Sequence, residues 1–304
     1  MKKIYKKSGI FSLKLVAIVF AVSSLQMSAK SPNELSLYGG GGFSTYYCQP
    51  SLREASSSGF AGDIGGAFTA FVSSQVGFHI GVGLGFYNIE NKVEYFQTTS
   101  LDLYDNNNDR FFDLHTTLFD YREKHQTLCL SIPLMVHVQS NMDRSWNRRQ
   151  NQDVGFYLLT GIKANLLLGR KYESSVGNLF NAAYYKDFDN WAATQRFAGL
   201  GLFDGKSVSG KANFGILALF TIEAGPKWVL NNNMFLYTGI YFDYGLTDPG
   251  KSSREPVENY IYPEQLENLP LLSYTDKMNL MTIGFKVRLA FVRNTSPYDC
   301  PRGF

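Results

Sequence analysis

Cysteine and histidine are scarce: the 304-residue chain has three cysteines, Cys48, Cys129 and Cys300, and four histidines. The cysteines are odd in number and widely spaced, with no C-x-x-C. This excludes a disulfide framework and a zinc site built on paired thiolates. After the N-terminal segment there is no run of 18 apolar residues, so no membrane-spanning helix is expected. An excess of basic charge is missing too, once that segment is set apart. Residues 1–29 hold five of the 29 Lys and Arg residues and none of the 26 acidic ones, leaving 24 basic against 26 acidic. A near-neutral mature chain offers no nucleic-acid surface.

The N-terminal segment has the three parts of a secretory signal. Lys2, Lys3, Lys6 and Lys7 form the positive start, LVAIVFAV the apolar middle, and Met27-Ser28-Ala29 the small-residue end, with cleavage expected after Ala29. The apolar middle falls short of the roughly 20 residues of a spanning helix.

What the sequence does have is aromatics, at 15 %, and 28 glycines, a composition that suits packed strands. The stretch LMTIGFKVRLAFV, Leu280 to Val292, shows how they are used. At strand period, Met281, Ile283, Phe285, Val287, Leu289 and Phe291 make one apolar face, and Thr282, Gly284, Lys286, Arg288 and Ala290 the other. At helical spacing the charges scatter into the apolar residues, so the segment reads as a strand. The same alternation recurs near Glu34 to Phe43, Gly59 to Val72, Val76 to Ile89, Lys124 to Gln139, Asp153 to Leu168, Asn213 to Leu230 and Met234 to Leu246, which makes eight strands.

The connectors alternate in length: about 15 residues, Ser73-Ser74-Gln75, about 34, about 13, about 44, Asn231-Asn232-Asn233, and about 30. Short turns at one end and long loops at the other are the plan of a transmembrane barrel. Strands of about 10 to 18 residues exceed the roughly 5 or 6 of soluble sheets and suffice for the 9 to 11 of a tilted bilayer crossing. Ser140 to Gln152, with Arg144, Arg148 and Arg149, is the one connector too long for its end. Lipid offers no hydrogen-bond partners, so the strands must close into an all-β, antiparallel up-and-down barrel with no free edge. Aromatics near strand ends, among them Phe86-Tyr87, Phe156-Tyr157, Trp228, Tyr244 and Phe291, fit headgroup belts.

On these features the chain resembles the bacterial outer-membrane β-barrel family of the OmpA transmembrane domain and OmpX, eight-stranded and porin-like in wall construction. The last strand, Thr282 to Phe291, is similar to the family's assembly signal, with Thr282, Gly284, Val287, Leu289 and the terminal aromatic Phe291 in its pattern. The resemblance implies a signal peptide over 1–29, an outer-membrane barrel over 30–293 and a periplasmic tail over 294–304. It also implies outer-membrane lipids and the barrel-assembly machinery as partners, and no cofactor. No cell-wall-binding domain follows the barrel in this sequence, so an anchoring role is not expected.

An eight-stranded barrel is just wide enough for side chains to fill. Asp63, Lys163, Glu223, Lys227, Asp243, Lys286 and Arg288 fall at inward positions and must pair if buried. The expected pairs are Lys163 with Glu223, and Asp243 with Lys286 or Arg288, with Glu34 also in reach of the last two. The expected role is a plugged barrel acting in envelope integrity or surface interaction. A narrow ion or solute channel is the first alternative, and a membrane-embedded lipid enzyme using His125 the second. His79 and His137 face inward without a third ligand, so no metal is expected. His115 and His125 are expected in solvent. Asp105 to Asp109 starts like a calcium loop, but Arg110 and Thr116 stand where glycine and glutamate belong, which leaves a polar loop tip. The long loops Asn91 to Glu123, Gly169 to Ala212 and Thr247 to Asp276 carry Tyr184, Tyr185, Trp191 and Tyr260, as a binding surface or a cap.

Overall fold

A computed structural model of the chain describes residues 33–48, 56–105, 109–140, 154–205, 207–211, 216–231, 233–248 and 278–292. The signal segment, the C-terminal tail, most of Ser140 to Gln152 and most of Thr247 to Asp276, Tyr260 included, lie outside these residues. The strands are β1 (Glu34–Cys48), β2 (Ser56–Phe71), β3 (Val76–Asp105), β4 (Arg110–Gln139), β5 (Val154–Ser175), β6 (Asn178–Tyr185), β7 (Asn190–Ala192), β8 (Gly201–Asp204), β9 (Ser207–Lys211), β10 (Ile216–Asn231), β11 (Met234–Gly245) and β12 (Met278–Val292).

Eight of them close a ring of antiparallel pairs in the order β1, β2, β3, β4, β5, β10, β11, β12 and back to β1. The closing pair runs without interruption from Glu34 opposite Val292 to Cys48 opposite Met278. Closure satisfies the backbone of both terminal strands, which would otherwise be open edges. At one end, the turn end, Ser73 Oγ accepts from the Val76 amide at 3.0 Å and Asn231 Oδ1 from the Asn233 amide at 2.9 Å. Such side-chain turns hold hairpins this tight.

The outward side of the ring is apolar. Phe43, Ile64, Phe156 and Phe285 are 80, 67, 70 and 72 % exposed. Outward positions carry no charged residue on β1, β2, β10, β11 or β12, nor from Phe78 to Phe86 on β3, Leu128 to Val138 on β4 and Val154 to Leu168 on β5. A soluble protein rarely shows a continuous apolar surface beyond a few hundred Å².

Two of the expected long loops are sheet instead. β3 and β4 are 30 residues each and pair as far as Asp105 opposite Arg110, so Asn91 to Glu123 continues the wall of the barrel upward. Within Gly169 to Ala212, β6 pairs with β4, β7 and β8 with β6, and β9 with β5. In this upper sheet the inside–outside alternation reverses. Leu118 and Tyr121, three positions apart, share one buried cluster with Val93, Val176 and Leu179. Between them Asp120 has a φ of 51°, a left-handed residue that resets which face the chain presents.

Candidate functional site

The barrel interior is filled in layers. Nearest the turn end, Met135, Tyr157, Leu159, Phe235, Tyr237, Ala290 and Val292 form an apolar and aromatic layer. Toward the upper sheet lies a second plate, of Tyr46, Ala61, Tyr87, Ile89, Cys129, Leu167, Leu217, Leu219 and Leu280. The charges sit between and below these plates; six of the seven inward charges read from the sequence are buried, and the Asp63 side chain is nearly so, at 9 % exposed.

Their partners differ from the pairs expected from the sequence. Lys163 Nζ donates to Asp243 Oδ2 at 2.5 Å and lies 3.6 Å from Asp63 Oδ2. Lys286 Nζ donates to Asp63 Oδ2 at 2.9 Å. Arg288 reaches Glu223 at 3.3 Å, and Tyr157 Oη donates to the same carboxylate at 2.8 Å. Lys227 donates to Glu34 at 3.0 Å, and Tyr237 Oη to the other Glu34 oxygen at 2.7 Å. Register explains the Asp63–Lys286 pair. Gly40 on β1 lies directly opposite both residues, Asp63 on one side and Lys286 on the other. Having no side chain, it lets them meet over the strand between; a Cβ there would come within 3.0 Å of Asp63 Oδ1 and 3.1 Å of Lys286 Cε.

Aromatic rings complete the cations' surroundings. Lys286 Nζ is 4.7 Å from the Tyr241 ring centre, Lys227 Nζ 4.0 Å from Phe235, and the Arg288 guanidinium 4.5 Å from Tyr237. These contacts add attraction where water is excluded. The space left among Tyr38, Asp63, His79, Lys163, Glu223, Lys286 and Arg288 is a cavity of about 10 Å³, room for about one water molecule.

Both inward histidines belong to the lower layers. His79 Nδ1 is 2.9 Å from Thr69 Oγ1 and 3.4 Å from Arg288, and His137 packs against Phe71 at 5.2 Å and Tyr237 at 5.6 Å. Among the described residues, no three His, Cys, Asp or Glu side chains are grouped to hold a metal. His125 is not in solvent. It is 1 % exposed, points into the upper lumen, and pairs with Glu123, whose other oxygen accepts from Tyr121 Oη at 2.7 Å. Inward burial follows from β4 continuing straight through the region assigned to a loop.

In the upper sheet, ion pairs join β6 and the turn after it to the β3–β4 hairpin. Lys186 is 2.8 Å from Asp102 and 3.0 Å from Asp113, and Arg110 is 3.1 Å from Asp187. The Asp102 amide donates to Asp113 Oδ1 at 3.0 Å. That bond, and after it Lys186, hold the Asp113 carboxyl below its usual range. The outer face carries exposed aromatics: Trp191, 55 % exposed, stacks against His115 at 4.7 Å and Tyr184 at 4.9 Å. Of the polar tip, Asp105 accepts from Tyr185 Oη at 3.1 Å and Asp109 from Tyr104.

The strand read as an assembly signal takes its place in the closing pair. Thr282 faces inward with its Oγ1 2.8 Å from Ser44 Oγ, Gly284 lies opposite Gly42, and Val287, Leu289 and Phe291 point outward.

No protein-family model and no curated protein matches the chain. Among solved structures it is similar to Neisserial surface protein A, at 9 % identity and a TM-score of 0.32, over 84 % of this chain and 97 % of that one. It is also similar to Ail, the attachment invasion locus protein of Yersinia pestis, at 10 % identity and 0.29, over 86 % and 100 %. A third is the outer membrane protein OprG from Pseudomonas aeruginosa, at 9 % and 0.29, over 86 % and 99 %. At these scores the fold rests on the chain's own strand pairing.

Proposed function

We propose that this chain is a bacterial outer-membrane β-barrel with a sealed lumen, which acts through the sheet it raises above the membrane. One observation carries the reading: the two sides of a single closed wall suit different surroundings. Outside, the belt from Phe78 to Phe86 and its counterparts is exposed and uncharged; inside, Asp63, Lys163, Asp243 and Lys286 are buried and paired. Hydrocarbon outside and a filled interior account for both. The turn end then faces the periplasm and the upper sheet the exterior. Signal-directed export and recognition of the last strand by the barrel-assembly machinery belong to the same reading.

The sealed state is supported by the 10 Å³ cavity at the ion layer and by apolar plates on both sides of it. A narrow channel needs a continuous wet path, and lipid chemistry at His125 needs that residue at the surface; the filled lumen and the 1 % exposure of His125 favour neither. The exposed aromatics of the upper sheet, with Trp191 foremost, favour an interaction surface.

The test uses purified protein in planar bilayers. Heat-dependent gel mobility establishes that the barrel has formed, and the folded protein is expected to show no stable conducting level. Reproducible single-channel openings in that preparation would favour the channel. Identical mobility with and without heating would remove the barrel itself.

A further inference from the structure

We propose that Glu123, His125 and Asn91 form a binding site for one divalent transition-metal ion, zinc by the chemistry of the donors, at the foot of the sheet raised above the barrel. The inference goes beyond the sealed-barrel reading and is tested apart from it.

The donors converge from two strands. Glu123 and His125 are two apart on β4, which puts their Cα atoms about 6.8 Å apart with both side chains on one face. That face is the upper lumen, where His125 Nε2 meets Glu123 Oε1. Asn91 on β3 lies directly opposite Glu123, so the two Cβ atoms stand about 5 Å apart on the same face. Asn91 is 2 % exposed, and neither its Oδ1 nor its Nδ2 has a hydrogen-bond partner among the described residues. Its neighbour on the other side, Ser57 on β2, accepts from the Tyr46 amide at 2.9 Å instead. Buried side-chain amides are rarely left without a partner, and this one is aimed at a carboxylate and an imidazole already in contact.

The surroundings orient the donors. Tyr121 Oη donates to Glu123 Oε2 at 2.7 Å, which turns Oε1 toward His125. Outer hydrogen bonds of this kind set the geometry of ligating carboxylates. Tyr46 stands edge-on to the His125 ring at 6.1 Å, and Ile89 lies opposite it. The upper plate closes the group from below and the cluster of Val93, Leu118, Tyr121, Val176 and Leu179 from above.

The donor set selects the ion. One imidazole nitrogen, one carboxylate oxygen and one amide oxygen, with no thiolate, suit zinc and its first-row neighbours, whereas calcium takes six to eight oxygens. Three protein ligands leave the fourth corner of a tetrahedron to water. Because the third donor is an amide, the site is built on only two of the four usual ligand types. A bound ion would cross-link β3 to β4 just below their long hairpin and stiffen the sheet that carries Trp191.

The full chain is folded in detergent with zinc sulfate or with EDTA and freed of unbound metal by gel filtration. Zinc per chain is measured by atomic emission, and heat-dependent gel mobility verifies each barrel. Wild type is expected to keep one zinc, and cobalt(II) in its place to show the intense visible bands of a four-coordinate ion. His125→Ala should keep none. Asn91→Leu removes a donor but no hydrogen bond within the chain, so its metal-free barrel should be no less stable than wild type while its zinc affinity falls; it carries the test if His125→Ala does not fold. Tyr121→Phe keeps all three donors and should weaken zinc roughly 10- to 100-fold. A folded wild-type barrel that keeps no zinc overturns the proposal and leaves water as the partner of Asn91. Zinc kept equally by wild type and Asn91→Leu, or cobalt with only the weak bands of the hydrated ion, means an adventitious ion only and overturns it too. Each of these results leaves the sealed barrel standing.

Discussion

Lys286 on β12 and Asp63 on β2 form a 2.9 Å ion pair across a strand that belongs to neither, because the residue between them is Gly40. Asp63 also faces Lys163, which holds Asp243 in turn. The cluster therefore ties β2, β5, β11 and β12 across the lumen. Asp63→Asn leaves Lys286 buried without a carboxylate among the described residues and should destabilise the barrel by about 3 to 5 kcal/mol. Replacing both partners, Asp63→Leu with Lys286→Met, should cost far less, because no uncompensated charge remains. Urea unfolding from vesicles, followed by tryptophan fluorescence, separates the two. A double variant as unstable as the single one would mean that the pair is not the unit that matters.

Adjacent residues on β12 test the assignment of faces. Val287 points outward, and a lysine there meets hydrocarbon at a cost of about 2 to 4 kcal/mol near the midplane. Lys286 points inward, and Lys286→Met leaves Asp63 with Lys163 at 3.6 Å. Val287→Lys should block insertion into vesicles, while Lys286→Met inserts and shows heat-dependent mobility. Equal effects would refute the two faces.

Docking of β6 and its following turn onto the β3–β4 hairpin should depend on pH at both extremes. The Asp113 carboxyl is held low by the Asp102 amide and by Lys186. Its contribution is present above the unfolded value of about 3.9 and is lost as pH falls through the lower folded value. Lys186 is raised by its bonds to Asp102 and then Asp113. Its contribution is present below about 10.4 and is lost as pH rises through the higher folded value. Protection of the β6 amides against hydrogen exchange, corrected for the intrinsic pH dependence of exchange, should be flat between these limits and fall beyond each. In Asp113→Asn the acid transition should weaken; a transition of unchanged size would place the sensitivity elsewhere.

Period-two alternation made the eight ring strands legible, because the two sides of that wall differ so sharply that a slip of one residue would invert every contact. The burial of Asp63, Lys163 and Lys286 followed from the same period. Their pairing did not, because cross-lumen reach depends on stagger and on which intervening residue is glycine; the run Gly39 to Gly42 was the available signal. The upper sheet was hidden for the opposite reason. Above Lys92 and Arg122 neither face is uniformly apolar. The reversal at Asp120 and the bulge between Ser100 and Leu103 then break the alternation that marks a strand. His125 was misplaced with it, since a residue's exposure there depends on whether β4 runs on.

The lumen holds an ion layer between two apolar plates, and plate and ion layer resist ions by different physics. The upper plate excludes a hydrated ion because Ile89, Leu167, Leu217, Leu219 and Leu280 offer it no polar partner. The ion layer beneath it excludes one because its charges already satisfy each other at 2.5 to 3.6 Å. Opening either alone leaves the other closed. Leu219→Ala with Tyr87→Ala should therefore remain silent in planar bilayers, and so should Asp63→Asn. Combining the three with Leu159→Ala and Phe235→Ala, which thin the turn-end plate, should produce openings in a barrel that still shows heat-dependent mobility, with anion preference set by the uncompensated Lys286. If the plate variant alone conducts, the ion layer is no barrier and the seal is purely apolar; if Asp63→Asn alone conducts, the plate is already permeable.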